Sequence, residues 1–176
     1  MSLAWTSPRP CLTLAVALGA TALAGCETND PDAPPTLRLG RDLCAECGMS
    51  IVDGRHAAAT IAGVDGEPTT LHWDDIGCML DWERANGSAS VMRRWVRVDD
   101  DSQWARADQA SYAMGTAIRT PMGSQIAACR DETQARATVG SQPGVVLSFG
   151  ELAAARISWL RSKGRLPPVD PESGGG

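Results

Sequence analysis

The chain has 176 residues, 16 of them basic and 21 acidic, for a formal net charge of −5. That balance, with no basic stripe interleaved with aromatics, excludes nucleic-acid binding. Six cysteines are the unusual content, and each needs a role.

The only charge before Glu27 is Arg9, and Leu12 to Leu23 is a run of small and apolar residues. This fits the roughly 7–15-residue core of a secretory signal and falls short of the ~20 residues of a membrane span. Gly19 inside the run and Gly25 at its end disfavour a buried helix. The run closes on Leu23-Ala24-Gly25-Cys26, which resembles a bacterial lipobox, where the cysteine becomes the lipid-bearing first residue. Residues 1–25 are therefore expected to be a lipoprotein signal peptide that takes Cys11 with it. Cys26 is the expected lipidation site, anchoring a periplasm-facing protein to the membrane. Glu27 stands where aspartate is associated with inner-membrane retention, which favours the outer membrane. Residues 26–36 are acidic and proline-rich and read as a flexible tether. Residues 163–176 read as a disordered tail. The stretch 37–162, about 125 residues, is enough for one core.

Within that body, Leu43–Gly54 is aperiodic and reads as a compact loop closing on Asp53-Gly54. Ala57–Ile61 is a short strand, Gly63–Pro68 a hairpin turn, and Thr69–Trp73 the returning strand. Asp74-Asp75 offers an N-cap, Ile76, Met79, Leu80 and Trp82 follow at helical spacing, and Gly87 is the expected C-terminal stop. Val91–Val98 is the next strand. The second half repeats the pattern: strands at Ser111–Arg119 and Gln125–Cys129, a helix capped by Asp131 and running to Thr138, and a strand at Val145–Phe149. A final helix covers Gly150–Ser162, with Leu152, Ile157, Trp159 and Leu160 on its packed side. The fold class is α+β, two β-β-α-β units forming one body.

The chemistry concentrates in Cys44-Ala45-Glu46-Cys47-Gly48-Met49, two thiols and a thioether in six residues. A C-x-x-C pair serves three chemistries. A thiol-disulfide oxidoreductase places the pair at a helix start to lower a thiol pKa, but β-branched Ile51-Val52 and Asp53-Gly54 make a poor helix here. A zinc-stabilised interaction module usually needs a second close pair, and Cys78 and Cys129 are isolated in sequence. Soft thiolate and thioether donors select Cu(I), and Met49 supplies the thioether. Met122, in the tight turn Pro121-Met122-Gly123, is a plausible donor from the second half. Met114 more simply faces the core, as do Met79 and Met92. His56 and His72 are lone imidazoles, with His56 the nearer to the loop. Arg93, Arg94 and Arg97 read as a solvated strand face.

Three segments carry a family resemblance: Asp42–Asp53, Trp73–Trp82 with its Asp-Asp-Ile-Gly-Cys-Met-Leu run, and Thr120–Ser124. Together with the lipobox, in this order, they resemble the NosL family. The resemblance implies a fold of two β-β-α-β units akin to part of organomercurial lyase. It implies a periplasmic Cu(I)-binding metallochaperone, not an enzyme, that assists copper assembly of nitrous oxide reductase. It makes Cys47, Met49 and Met122 the leading metal ligands, then Cys44; His56 and Met114, raised by the residues alone, rank behind them. The implied partners are the membrane, through the lipid, and a copper acceptor such as nitrous oxide reductase or its membrane delivery complex. Cys129 falls where relatives are expected to carry an aromatic, and it could enter a stray disulfide.

Overall fold

The computed structural model describes residues 30, 32–87, 90–98 and 103–166. The expected signal peptide, the expected lipidation site Cys26 and most of the expected tail lie outside the described residues. No helix among the described residues is long and apolar enough to cross a membrane.

The first unit runs β1 (Ala58–Val64), β2 (Glu67–Trp73), α1 (Ile76–Ala85) and β3 (Ser90–Val98). β1 and β2 are joined by Asp65 (φ 52°) and Gly66 (φ 88°). Both are left-handed, as a two-residue hairpin turn matched to strand twist requires. β4 (Gln103–Arg106) and a 3-10 turn at Ala107–Gln109 follow. The second unit is β5 (Ser111–Gly115), β6 (Ile126–Cys129), α2 (Glu132–Val139) and β7 (Gly144–Leu147), and α3 (Phe149–Ser162) ends the body.

The strands form one mixed sheet in the order β2-β1-β3-β6-β5-β7, with β4 paired to β3. Each unit sets its first strand between its other two, and the units join where β3 and β6 run parallel at Val98↔Ala128. The two β-β-α-β units of the sequence reading are therefore present, fused through a single sheet. Side chains alternate across a strand, so the sheet has two distinct faces. On one, Trp73, Val96, Tyr112 and Ile126 meet Ile76 and Met79 of α1 and Leu152 of α3. On the other, Ala113, Ala127 and Cys129 meet Ala135 of α2.

Several sequence expectations are corrected. β4 was not expected. β5 stops at Gly115 instead of Arg119, because Thr116–Arg119 turns away from the sheet. β7 stops at Leu147, and Phe149 opens α3 because Glu151 reaches back to accept the Ser148 N–H at 2.8 Å. Met92 is 39% exposed on β3 and not in the core, whereas Met79 and Met114 are buried. Gly87 follows the C-cap residue Asn86 without a left-handed φ. α3 buries Arg156 beside Leu152 and Leu160, with Ile157 only half-buried. Its guanidinium pairs with Asp81 at 2.8 Å, the partner a buried charge needs. Arg94 is no solvated residue, since its Nε donates to Glu83 at 2.8 Å. Asp32, expected in the tether, accepts from Arg93 at 2.7 Å.

Candidate metal centre

The C-x-x-C segment folds back on itself. Leu43 and Ser50 form an antiparallel bridge. Inside it the Cys44 N–H donates to Met49 O and the Gly48 N–H to Cys44 O, each at 2.8 Å. The reversal needs Gly48 at φ 74°, where a side chain would be strained. The Ala45 N–H donates to His72 O at 2.9 Å and fastens the loop to β2. Cys47 therefore leads into a reversal, and neither loop cysteine opens a helix. Cys44 is 1% exposed and Met49 48%, with Cys47 half-buried between them.

β2 ends on Trp73, and the next residues start α1. Asp75 caps it, accepting the Gly77 N–H at 2.8 Å. Cys78, 5% exposed, is the third residue of the helix and points at the loop cysteines. The sulfurs of Cys44, Cys47 and Cys78 and a carboxylate oxygen of Asp74 all lie within 4.8 Å of one another. Cys47 Sγ is 3.9 and 4.0 Å from the two Asp74 oxygens. Cys44, Cys47 and Cys78 are free thiols. Cys78, isolated in sequence, and Asp74 are the members that spacing alone did not supply. The signal for both was their place at a strand-to-helix junction.

The four groups share one electrostatic problem. The Cys78 S–H donated toward Cys44 holds the Cys44 thiol well below the ordinary thiol range, against the effect of burial. The same contact, followed by burial, drives the Cys78 thiol upward. The pair thus loses a first proton readily and keeps a second. Burial raises Cys47. Burial, then the neighbouring Cys44 sulfur, raises the Asp74 carboxyl to about 6. The first turn of α1 offsets part of the negative charge, because helix N-termini favour anions and thiolates.

The second unit reaches this corner through Asp75. Its Oδ2 accepts the Thr120 hydroxyl at 2.7 Å and the Met122 and Ser124 N–H groups at 3.0 and 3.4 Å. A Cβ on Gly77 would stand 2.5 Å from Ser124 Cβ, so only glycine lets the Thr120–Ser124 turn close on α1. Met122, 38% exposed, is thereby carried on the turn that sits against the helix start. The sequence offered the Asp74-Asp75 pair as the cap; Asp75 is the one that caps, and its second task was missed. His56 is not among the grouped donors. Met114 belongs to the core, and His56 is buried with its Nδ1 unpaired. Cys129 is buried under α2, 3.5 Å from the Thr138 hydroxyl.

The three segments quoted for the family resemblance, far apart in sequence, thus meet at one end of α1. A family model described as NosL matches residues 38–157. The copper-binding lipoprotein NosL of Stutzerimonas stutzeri is 30% identical over 156 residues, covering 82% of this chain and 81% of that protein. The crystal structure of the copper chaperone NosL from Shewanella denitrificans is similar with TM-score 0.48 and 19% identity, over 67% of this chain and 96% of that one. The solution structure of apo-NosL from Achromobacter cycloclastes is similar with TM-score 0.45 and 23% identity, over 66% and 94%. By the family model and the identity to the Stutzerimonas protein, the chain belongs to the NosL family.

Proposed function

We propose that this chain is a lipid-anchored Cu(I) metallochaperone, not an enzyme. It is tethered through Cys26 to the outer membrane on the periplasmic side, and it supplies copper for assembly of nitrous oxide reductase, directly or through a membrane delivery complex. The observation that carries the reading is the meeting of Cys44 and Cys47 with a further thiol, in a loop that also presents the Met49 thioether. Such a donor set suits a soft monovalent ion. Cys47 and Met49, with Met122 from the second unit and Cys44 behind, are the proposed ligands of the cargo.

The exposure gradient suits a carrier. Cys44 is enclosed, Cys47 half-buried, and the two thioethers stand at the surface. An acceptor's donors can enter as a thioether leaves, so the ion moves by ligand exchange. Anchoring raises the local concentration of carrier near membrane-bound acceptors. The absence of a helix after Cys47 removes the feature that activates C-x-x-C redox catalysts.

A titration with Cu(I) against a strong chromophoric competitor tests this on the wild type and on Cys47→Ser, Met49→Leu and Met122→Leu. The expected result is about one tightly held Cu(I), with Cys47→Ser the weakest binder. Weak binding by the wild type, or unchanged binding in all three variants, overturns the reading.

A second reading is favoured by Asp74, whose carboxylate joins three thiols as a zinc site's fourth donor does. The isolation of Cys78 in sequence no longer counts against it. Chelation separates the two readings: a zinc-held module loses its fold, and a copper carrier keeps it.

A further inference from the structure

The proposed ligands at the surface leave one part of the corner unused. Cys78 is nearly enclosed, it sits on the first turn of a ten-residue helix, and its sulfur lies with those of Cys44 and Cys47. We infer that Cys44, Cys47 and Cys78 form an interior three-thiolate position for the cargo ion, distinct from the thioether position at the surface and sharing Cys47 with it. This rests on the Cu(I) reading above and extends it. The chain would hold its ion at two depths, at rest inside and in transit at the surface.

The dimensions fit. Metal–sulfur bonds of about 2.3 Å place three sulfurs around a trigonal ion about 4 Å apart. The donor atoms here already lie within 4.8 Å of one another. Closing on an ion therefore asks for less than about 1 Å of movement, within reach of rotamer adjustment in a loop. The backbone is already set. Cys44 is held by its bond to Met49 O, the loop by Ala45 on His72 O, and Cys78 by the Asp75 cap. The set is soft and anionic, which favours Cu(I) over oxygen-seeking divalent ions. Asp74, with its carboxylate beside Cys47, offers a fourth position that Zn(II) or Cd(II) would use and Cu(I) would leave empty.

Cys47 is the shared member and the half-buried one. Passage outward is then an exchange in which Cys78 and Cys44 are released as Met49 and Met122 engage, with Cys47 bonded throughout. No electron moves, and the protons displaced from the thiols on loading go to solvent. Cys129 is buried outside the donor cluster and serves as the internal control.

The test uses the full chain, reduced, in two measurements. In the first, Cu(I) is titrated against a competitor on wild type, Cys78→Ser, Cys47→Ser and Cys129→Ser, with the thiolate-to-copper absorbance recorded. Cys78→Ser is expected to weaken Cu(I) binding about ten-fold or more and to lose about a third of that absorbance. Cys129→Ser should change neither. If Cys78→Ser leaves both unchanged while Cys47→Ser still loses copper, the interior position is wrong and the carrier reading stands. The second measurement needs no substitution in the core. The ¹¹³Cd NMR shift of wild type with one equivalent of Cd(II) should fall in the range of three-sulfur sites. A shift in the two-sulfur range, or no bound Cd(II), overturns the inference.

Discussion

The two β-β-α-β units share a strand order and differ at the junction between second strand and helix. After β2 comes the run Asp74-Asp75-Ile76-Gly77-Cys78, and after β6 comes Arg130-Asp131-Glu132-Thr133-Gln134. Both segments cap a helix with an aspartate, Asp75 onto the Gly77 N–H and Asp131 onto the Gln134 N–H, each at 2.8 Å. Aligned on those caps, Asp74 matches Arg130, Gly77 matches Thr133, and Cys78 matches Gln134. The first cap is fully buried and gathers Thr120, Met122 and Ser124, whereas the second is exposed. The shared topology supplies a strand-to-helix corner twice. Among the described residues the grouped donors lie at the corner that carries Cys78, Gly77 and the enclosed Asp74 carboxylate.

The largest expected difference in stability between the two corners lies in their caps. Asp131→Ala should cost about 1 kcal/mol, the ordinary value for a lost N-cap. Asp75→Ala should cost about 3 kcal/mol, because it also strands buried donors of the Thr120–Ser124 turn, each worth roughly 1–3 kcal/mol when unsatisfied. Paired urea denaturations give both numbers, and equal costs would dissolve the distinction between the corners. Next is the glycine. Gly77→Ala drives a methyl into Ser124 and should cost about 1–3 kcal/mol, as overpacking does. Thr133→Ala, at the exposed matching position, should stay within about 0.5 kcal/mol. Smallest is Met122→Leu, a swap of similar volume that should shift stability by less than about 1.5 kcal/mol. It should weaken Cu(I) binding by roughly ten-fold through the lost thioether. Calorimetry and competitor titration on the same sample separate the two effects.

Much of the fold was legible because its signals are local. The Asp65-Gly66 turn, the Asp75 and Asp131 caps and the alternation of Thr69–Trp73 each depend on a few adjacent residues. Phe149 as a helix opener was equally legible through Ser148 and Glu151, but the apolar run Val145–Phe149 reads more strongly as strand. β4 was missed because Gln-Trp-Ala-Arg is too short to show a period. Arg156 was missed because burial of a charge depends on Asp81, a contact across 75 positions. The candidate site divides along the same line. The loop donors Cys44, Cys47 and Met49 are visible in one glance at the sequence. Cys78 is not, because its approach to Cys44 depends on how the α1 start meets the loop, which no spacing rule encodes. Met122 was singled out for its tight turn, but the Asp75 hydrogen bonds that fix that turn are tertiary.

The most direct test sets Cys47, gathered at the first corner, against Cys129, the buried thiol that ends β6. Cu(I) titration with a chromophoric competitor on wild type, Cys47→Ser and Cys129→Ser should give one tightly bound ion in the wild type and in Cys129→Ser. Cys47→Ser should lose more than about 100-fold in affinity, since even outer partners of a metal ligand are worth about 10–100-fold. Equal affinities for Cys47→Ser and wild type, or a loss confined to Cys129→Ser, would contradict the placement of copper at the α1 corner.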